Sequence, residues 1–144
     1  MNACFKPFKN KYNGKRVFLI GNGPSLNDTN LDLIKNEYSI AMNRISLIYD
    51  KTSWRPSFYI FCSTNCQHKI WGKEWTKSII ESIEQKNTIP FIYDKFKNTI
   101  DPSNKYKKIN WIRNMSENKP AKNGDILTSC FSNNKIGRAS CRER

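Results

Sequence analysis

No stretch of this chain approaches the roughly 20 apolar residues that a membrane-spanning helix needs. The first fifteen residues are polar and lack the apolar core of a signal peptide. A cytoplasmic location is therefore expected, with the five cysteines as reduced thiols and not a disulfide framework. Histidine occurs once, at His68, which excludes a cluster of imidazole ligands. Acidic residues are also few, 12 against 25 Lys and Arg, leaving a formal charge of +13. The lysines are spread along the chain and form no block or stripe, so charge alone does not mark a nucleic-acid partner. A basic surface suits an anionic sugar nucleotide or acidic lipids equally well.

What is present is the composition of a globular protein. With 38% hydrophobic and 12% aromatic residues, the 144-residue chain can build one domain with its own core. It contains no internal repeat and no low-complexity linker. Residues 1–13 read as an N-terminal extension and 14–135 as the domain. Residues 136–144, Ile-Gly-Arg-Ala-Ser-Cys-Arg-Glu-Arg, stand apart. Read back into codons, they agree with a common sequencing adapter, so they are expected to be an artefact, with the natural frame interrupted near Lys135. Leaving out Arg138, Arg142, Arg144 and Glu143 lowers the charge from +13 to +11.

Short apolar runs recur along the domain. Residues 16–20, 38–42, 58–62, 89–93 and 109–113 each read as a strand buried on both faces, the signature of a parallel sheet. Residues 31–36 read as a short helix capped by Thr29 or Asn30. Ile70, Trp71, Trp75, Ile79, Ile80 and Ile83 recur at helical spacing within 68–86, which places both tryptophans in the core. Residues 94–108 and 115–123 read as loops, and 125–131 as the start of a helix. Strands alternating with helices predict an α/β, Rossmann-like parallel sheet with flanking helices, truncated at its C-terminus.

In such a sheet ligands bind beyond the carboxyl ends of the strands. Three strand ends carry small or amide residues: Gly21-Asn22-Gly23-Pro24-Ser25 after the first, Asn43 after the second, and Ser63-Thr64-Asn65 after the third. Glycines let the backbone approach a phosphate or ribose, and asparagine amides both donate and accept without adding charge. A helix following the loop would favour a phosphate at its N-terminus. Leu26 stands where a dinucleotide fingerprint has its third glycine, and no Gly-Lys-Ser/Thr follows as in a P-loop.

The string Gly-Asn-Gly-Pro-Ser-Leu, followed about twenty residues later by a strand ending in Asn, resembles the bacterial sialyltransferases. It is also similar to the wider group holding the Maf-type flagellin glycosyltransferases and the archaeal 6-hydroxymethylpterin diphosphokinases. The resemblance is close over about residues 14–66 and loose elsewhere. It implies that Asn22 and Asn43 contact the CMP part of a sugar donor, within a pocket shaped by Gly21, Asn22, Gly23, Pro24 and Ser25. Ser63 stands where relatives carry Asn or Asp, and Thr128-Ser129 resembles a pair near the donor's phosphate and ribose. The general-base His and the paired Tyr of the sialyltransferases would lie beyond residue 135, so no catalytic residue is assigned. His68 falls too early in the chain for that role.

Other clusters read more simply. Cys62, Cys66 and His68 lack the fourth ligand and the paired spacing of structural zinc, so no metal is expected. Cys62 closes an apolar strand as a small buried residue. Asp28 and Asp32 suit helix capping, Asp94 and Asp101 are loop carboxylates, and the Lys9-Asn10-Lys11 region is a solvated face.

The resemblance implies the donor-binding, N-terminal part of a glycosyltransferase, needing no cofactor and using a CMP-activated sugar in surface-glycan synthesis. Its partners would be that donor and a glycan or protein acceptor, at the inner face of the membrane, with no nucleic acid; a homo-oligomer is compatible with it. Two alternatives stay open: an ATP- and Mg2+-dependent enzyme like the pterin diphosphokinases, and a non-catalytic basic domain binding nucleotides or RNA. The second would show affinity falling steeply with salt and indifferent to CMP.

Overall fold

Five short apolar runs pair side by side into a single parallel sheet in the computed structural model, which describes residues 3–63 and 69–112. The strands are β1 (Val17–Ile20), β2 (Tyr38–Met42), β3 (Phe58–Phe61), β4 (Ile89–Tyr93) and β5 (Asn110–Ile112), in the order β1-β2-β3-β4-β5. Every neighbouring pair is parallel. The protein is an α/β fold of Rossmann-like kind, with strands where the apolar runs place them to within one residue at each end. Residues Gly14–Arg113 form one compact unit and Met1–Asn13 belong to another, in which Ala3–Phe8 make a 3-10 turn.

Register decides which side chains share a face. Directly paired residues of parallel strands point the same way, and faces alternate along each strand. Phe18 pairs with Ser39, Ala41 with Tyr59, Tyr59 with Pro90, Phe61 with Ile92, and Ile92 with Trp111. This inner face is packed: Ser39, Ala41, Tyr59, Phe61 and Ile92 are all fully buried. The opposite, outer face carries Val17, Leu19, Ile40, Met42, Ile60, Phe91 and Tyr93; at β1 it is open, with Val17 46% and Leu19 60% exposed, whereas Phe91 and Tyr93 of β4 are buried.

The connections supply what covers the inner face. Helix α1 (Gly72–Glu84) turns Ile79 and Ile83 into the core, four residues and thus one helical turn apart. Its Ser78 and Ser82 face the 3-10 turn Ile45–Lys51, where Ser46 Oγ lies 2.5 Å from Ser78 Oγ and the Tyr49 hydroxyl donates to Ser82 Oγ at 3.5 Å. Burial pushes the Tyr49 hydroxyl above its ordinary pKa. Phe61 sits between Trp75 and Phe96, at 6.3 and 5.3 Å between ring centroids. Leu31, Ile45, Trp54, Phe96, Ile100 and Ile109 complete the same hydrophobic cluster.

The structure departs from the sequence pattern at several places. The region 94–108 is not simply a loop: Asp94–Phe96 form a 3-10 turn and α2 (Lys97–Ile100) a single helical turn, because Phe96 and Ile100 are drawn into the core. Trp71 is 55% exposed, outside the core, since the helix begins only at Gly72 and the 3.6-residue stripe does not extend back to it. Cys62 is exposed: β3 ends at Phe61, and alternation takes the next side chain away from the packed face. The regions 115–123 and 125–131 lie outside the described residues.

Two carboxylates hold connections in place. Asp32, in the 3-10 turn Leu31–Ile34 that Asn30 caps, reaches the chain just before β3. Its Oδ1 accepts from the Ser53 hydroxyl (2.7 Å), the Thr52 hydroxyl (2.8 Å) and the backbone N–H of Ser53 and Trp54 (2.9 and 3.0 Å). The Ser53 and Thr52 hydroxyl bonds hold this carboxyl below its ordinary value of 3.8. Asp101, only 2% exposed, accepts from the N–H of Lys105 (2.7 Å) and Tyr106 (3.2 Å). What reads in the chain as a loop carboxylate is the template of the turn that leads into β5. Among the described residues no helix is long and apolar enough to cross a membrane.

Candidate functional site

The strand order sets the carboxyl ends of β1, β2 and β3 side by side, about 5 Å apart per strand. Because Ile20 pairs with Ala41 and Met42 with Ile60, the glycine loop, Asn43 and the start of the β3–α1 connection emerge at the same edge. The structure thus brings together Gly21, Asn22, Gly23, Pro24, Ser25, Asn43 and Ser63. Ser129, with Thr128, lies outside the described residues, as do Cys66 and His68.

The glycine loop is tied down by its own amide. Asn22 Nδ2 donates to the carbonyl of Met42 at 2.9 Å, fastening the loop to the last residue of β2. Pro24 opens a 3-10 turn, Pro24–Asp28, at the position where its fixed φ is already correct and its missing N–H costs nothing. Ser25 accepts through its carbonyl from the Thr29 hydroxyl at 3.0 Å, and Leu26 N–H closes onto the Gly23 carbonyl at 3.0 Å.

Neither glycine is required by the backbone. Gly21 and Gly23 avoid the left-handed region; a Cβ on Gly21 would meet nothing within 4 Å, and one on Gly23 only Ser25 Oγ at 3.8 Å. No described protein group fills the space above them, which leaves the main chain open to a close-approaching ligand.

The helix expected after this loop is absent. Two 3-10 turns, Pro24–Asp28 and Leu31–Ile34, make the whole connection, since Ser, Asn, Asp and Thr favour local turns over helix propagation. Turns this short carry no sustained dipole, so a phosphate here would depend on loop N–H groups and side chains.

Asn43 ends β2 in the left-handed conformation, at φ 54°, which Asn tolerates better than most residues. Its N–H donates to the Ile60 carbonyl at 3.2 Å, and its carbonyl accepts from the fully buried Tyr59 hydroxyl at 2.6 Å. Both backbone groups are therefore held by β3, and the position of the side-chain amide is set by the sheet. No hydrogen bond of that amide is found among the described residues.

The next residue carries a charge that composition alone does not single out. Arg44 is half-buried, its guanidinium carbon 5.7 Å from the centre of the Trp75 ring. Its Nε is shielded from solvent without an acceptor. The only signal in the chain was adjacency: a cation directly after an asparagine at a strand end.

Ser63 follows β3 by two residues and is partly buried. Among the described residues, no group of three or more His, Cys, Asp or Glu side chains is placed to hold a metal ion. An open groove along α1, bordered by Lys73, Lys77, Glu81 and Thr99, includes none of the glycine-loop or strand-end residues. The strand ends remain the better candidate, because they combine a tethered loop, a conformationally fixed amide and an under-used cation. Compared with known proteins, the chain matches no family model, no curated protein and no solved structure.

Proposed function

We propose that this chain is the donor-binding part of a glycosyltransferase resembling the sialyltransferases, which takes a CMP-activated sugar for surface-glycan synthesis. The observation that carries the reading is the pair of asparagines at adjoining strand ends. Asn22 spends its amide N–H on the Met42 carbonyl, and Asn43 is held left-handed by its N–H bond to the Ile60 carbonyl and by the Tyr59 hydroxyl that donates to its own carbonyl. Asn22 retains its side-chain carbonyl as an acceptor, and Asn43 both halves of its amide, which is the equipment for reading a base or ribose edge. The open main chain at Gly21 and Gly23 supports the same reading, as space for the sugar-phosphate.

In the transfer itself, an acceptor hydroxyl oxygen attacks the anomeric carbon as the bond from that carbon to the phosphate oxygen breaks. CMP leaves with the electron pair, and the hydroxyl proton passes to a base. The residues described here hold the nucleotide; none is assigned to that proton.

The test is calorimetric titration with CMP of the wild type and of Asn43→Gly. Glycine keeps the left-handed backbone without strain and removes only the amide. The expected result is an unchanged melting temperature with CMP affinity at least tenfold weaker. Absence of CMP binding to the wild type at millimolar concentration would sink the proposal. Binding of ATP that is abolished by a chelator would instead favour the pterin diphosphokinase-like alternative.

A further inference from the structure

Three arginines fall among the described residues, and two of them have partners. Arg16 is paired with Glu37 through both Nε and a terminal nitrogen. Arg55 donates to the Gln85 side chain at 3.0 Å and to the carbonyls of Thr52, Trp54 and Tyr49 at 2.8, 2.7 and 3.3 Å. Arg44 differs. No carboxylate lies within ion-pair distance of it among the described residues, and its Nε is buried with no acceptor. A buried donor left unmade is unfavourable, and proteins retain few of them.

The terminal nitrogens are not shielded in this way, and they are the groups that a ligand can reach. Arg44 directly follows Asn43 at the carboxyl end of β2, two residues beyond the carbonyl to which Asn22 anchors the glycine loop. The Trp75 ring lies against the guanidinium and limits its freedom, so the planar fork is held before any ligand arrives. Arginine's fixed array of N–H donors matches the paired oxygens of a phosphate or carboxylate, and a partly dehydrated one binds such an anion more strongly than a solvated lysine does.

We infer that Arg44 is an anion-binding residue of the strand-end crevice, donating from its terminal nitrogens to the phosphate of a bound nucleotide. The ligand class is thereby narrowed to nucleotides that present a phosphate at the β2 end, with Asn43 beside it for the nucleoside. Trp75 is a positioning residue that acts through Arg44. This inference rests on the nucleotide-binding reading above, but its failure can be told apart from the failure of that reading.

The experiment is titration of the full chain, 15N-labelled for detection of arginine Nε–H signals, with CMP, cytidine and inorganic phosphate at constant ionic strength. The Arg44 signal is assigned by its loss in Arg44→Gln, and melting curves establish that this variant is folded. The expected result is that CMP binds at least tenfold more tightly than cytidine and shifts the Arg44 Nε–H signal. Arg44→Gln should then lower CMP affinity to that of cytidine, leave cytidine affinity unchanged, and be partly rescued by Arg44→Lys. Equal affinity for CMP and cytidine, or CMP binding unchanged in Arg44→Gln, overturns the role of Arg44 while nucleoside binding stands. Phosphate that shifts the Arg44 signal when neither CMP nor cytidine binds more tightly than phosphate itself upholds the anion site and removes the nucleotide reading. An Arg44 signal that no phosphate-bearing ligand moves rejects the inference outright.

Discussion

At the β1 side of the sheet the two faces are built from the same kinds of residue and have opposite fates. Phe18 and Ile20 point to the inner face, Val17 and Leu19 to the outer one, and nothing in their chemistry separates them. Yet the inner face holds Tyr59, Phe61 and Ile92 with no exposure, whereas Leu19 keeps 60% of its surface open. Apolarity in a parallel strand records that both faces are fit for burial. Which face is packed follows from the path of the connections. Leu31, Ile45, Ile48, Ile79, Ile83 and Phe96 come from four successive connections and join one cluster, and strands added always in the same direction by crossovers of one hand bring those connections to one side.

The largest loss is expected at Phe61. Phe61→Ala removes the ring wedged between Trp75 and Phe96, and a loss of about 3–5 kcal/mol is expected in denaturant unfolding. A loss below about 1 kcal/mol would show that the inner face is not the stabilising one.

Gly21→Ala separates binding from folding at the open end of the same sheet. Its φ is not left-handed and its Cβ would meet nothing, so stability should rise by about 0.4–1 kcal/mol. CMP affinity should fall nonetheless. A destabilised variant would mean that Gly21 is needed by the fold.

On the outer face the expected effect is smaller. Leu19→Thr keeps a strand-favouring residue while removing exposed apolar surface, so stability should change by about 0.5 kcal/mol or less. Binding of an apolar fluorescent dye should weaken. A loss as large as that of Phe61→Ala would show the outer face to be packed in solution.

The ties that hold the inner layer down respond to pH. The Ser53 and Thr52 hydroxyls lower the Asp32 pKa in the folded protein, so the folded state binds its proton less readily than the unfolded state does. The contribution is therefore complete above the ordinary value of 3.8 and is lost as pH falls below it. Glu37, lowered by its bond to Arg16, acts in the same direction. In Asp32→Asn the loss of stability between pH 5 and about 2 should be shallower than in the wild type; an identical slope would remove Asp32 as its source.

Much of the candidate site was legible because its signals are local. Gly21 to Ser25 and Asn43 stand next to strands that announce themselves by apolar runs, and strand ends converge in any parallel sheet. Arg44 was not legible, since its significance lies in a missing partner and in a ring thirty-one residues away. Asn22 was legible as a candidate, but its bond to Met42 was not, because a side chain's partner depends on register.

The connections were the least readable part. Ile45–Lys51 and Asp94–Ile100 contain no helical stripe long enough to stand out, and their short helical turns form because Ile45, Ile48, Phe96 and Ile100 are pulled onto the sheet. By itself the amino-acid order determined the strands and the glycine-asparagine strand ends, since each depends on residues adjacent in the chain, and the alternation of strands with connections long enough for crossovers made a parallel sheet the expected pairing. Tertiary structure alone decided which face is buried, how Asp32 and Asp101 are used, and which arginine is left with donors to spare. Those outcomes depend on groups that meet only when the connections fold back over the sheet.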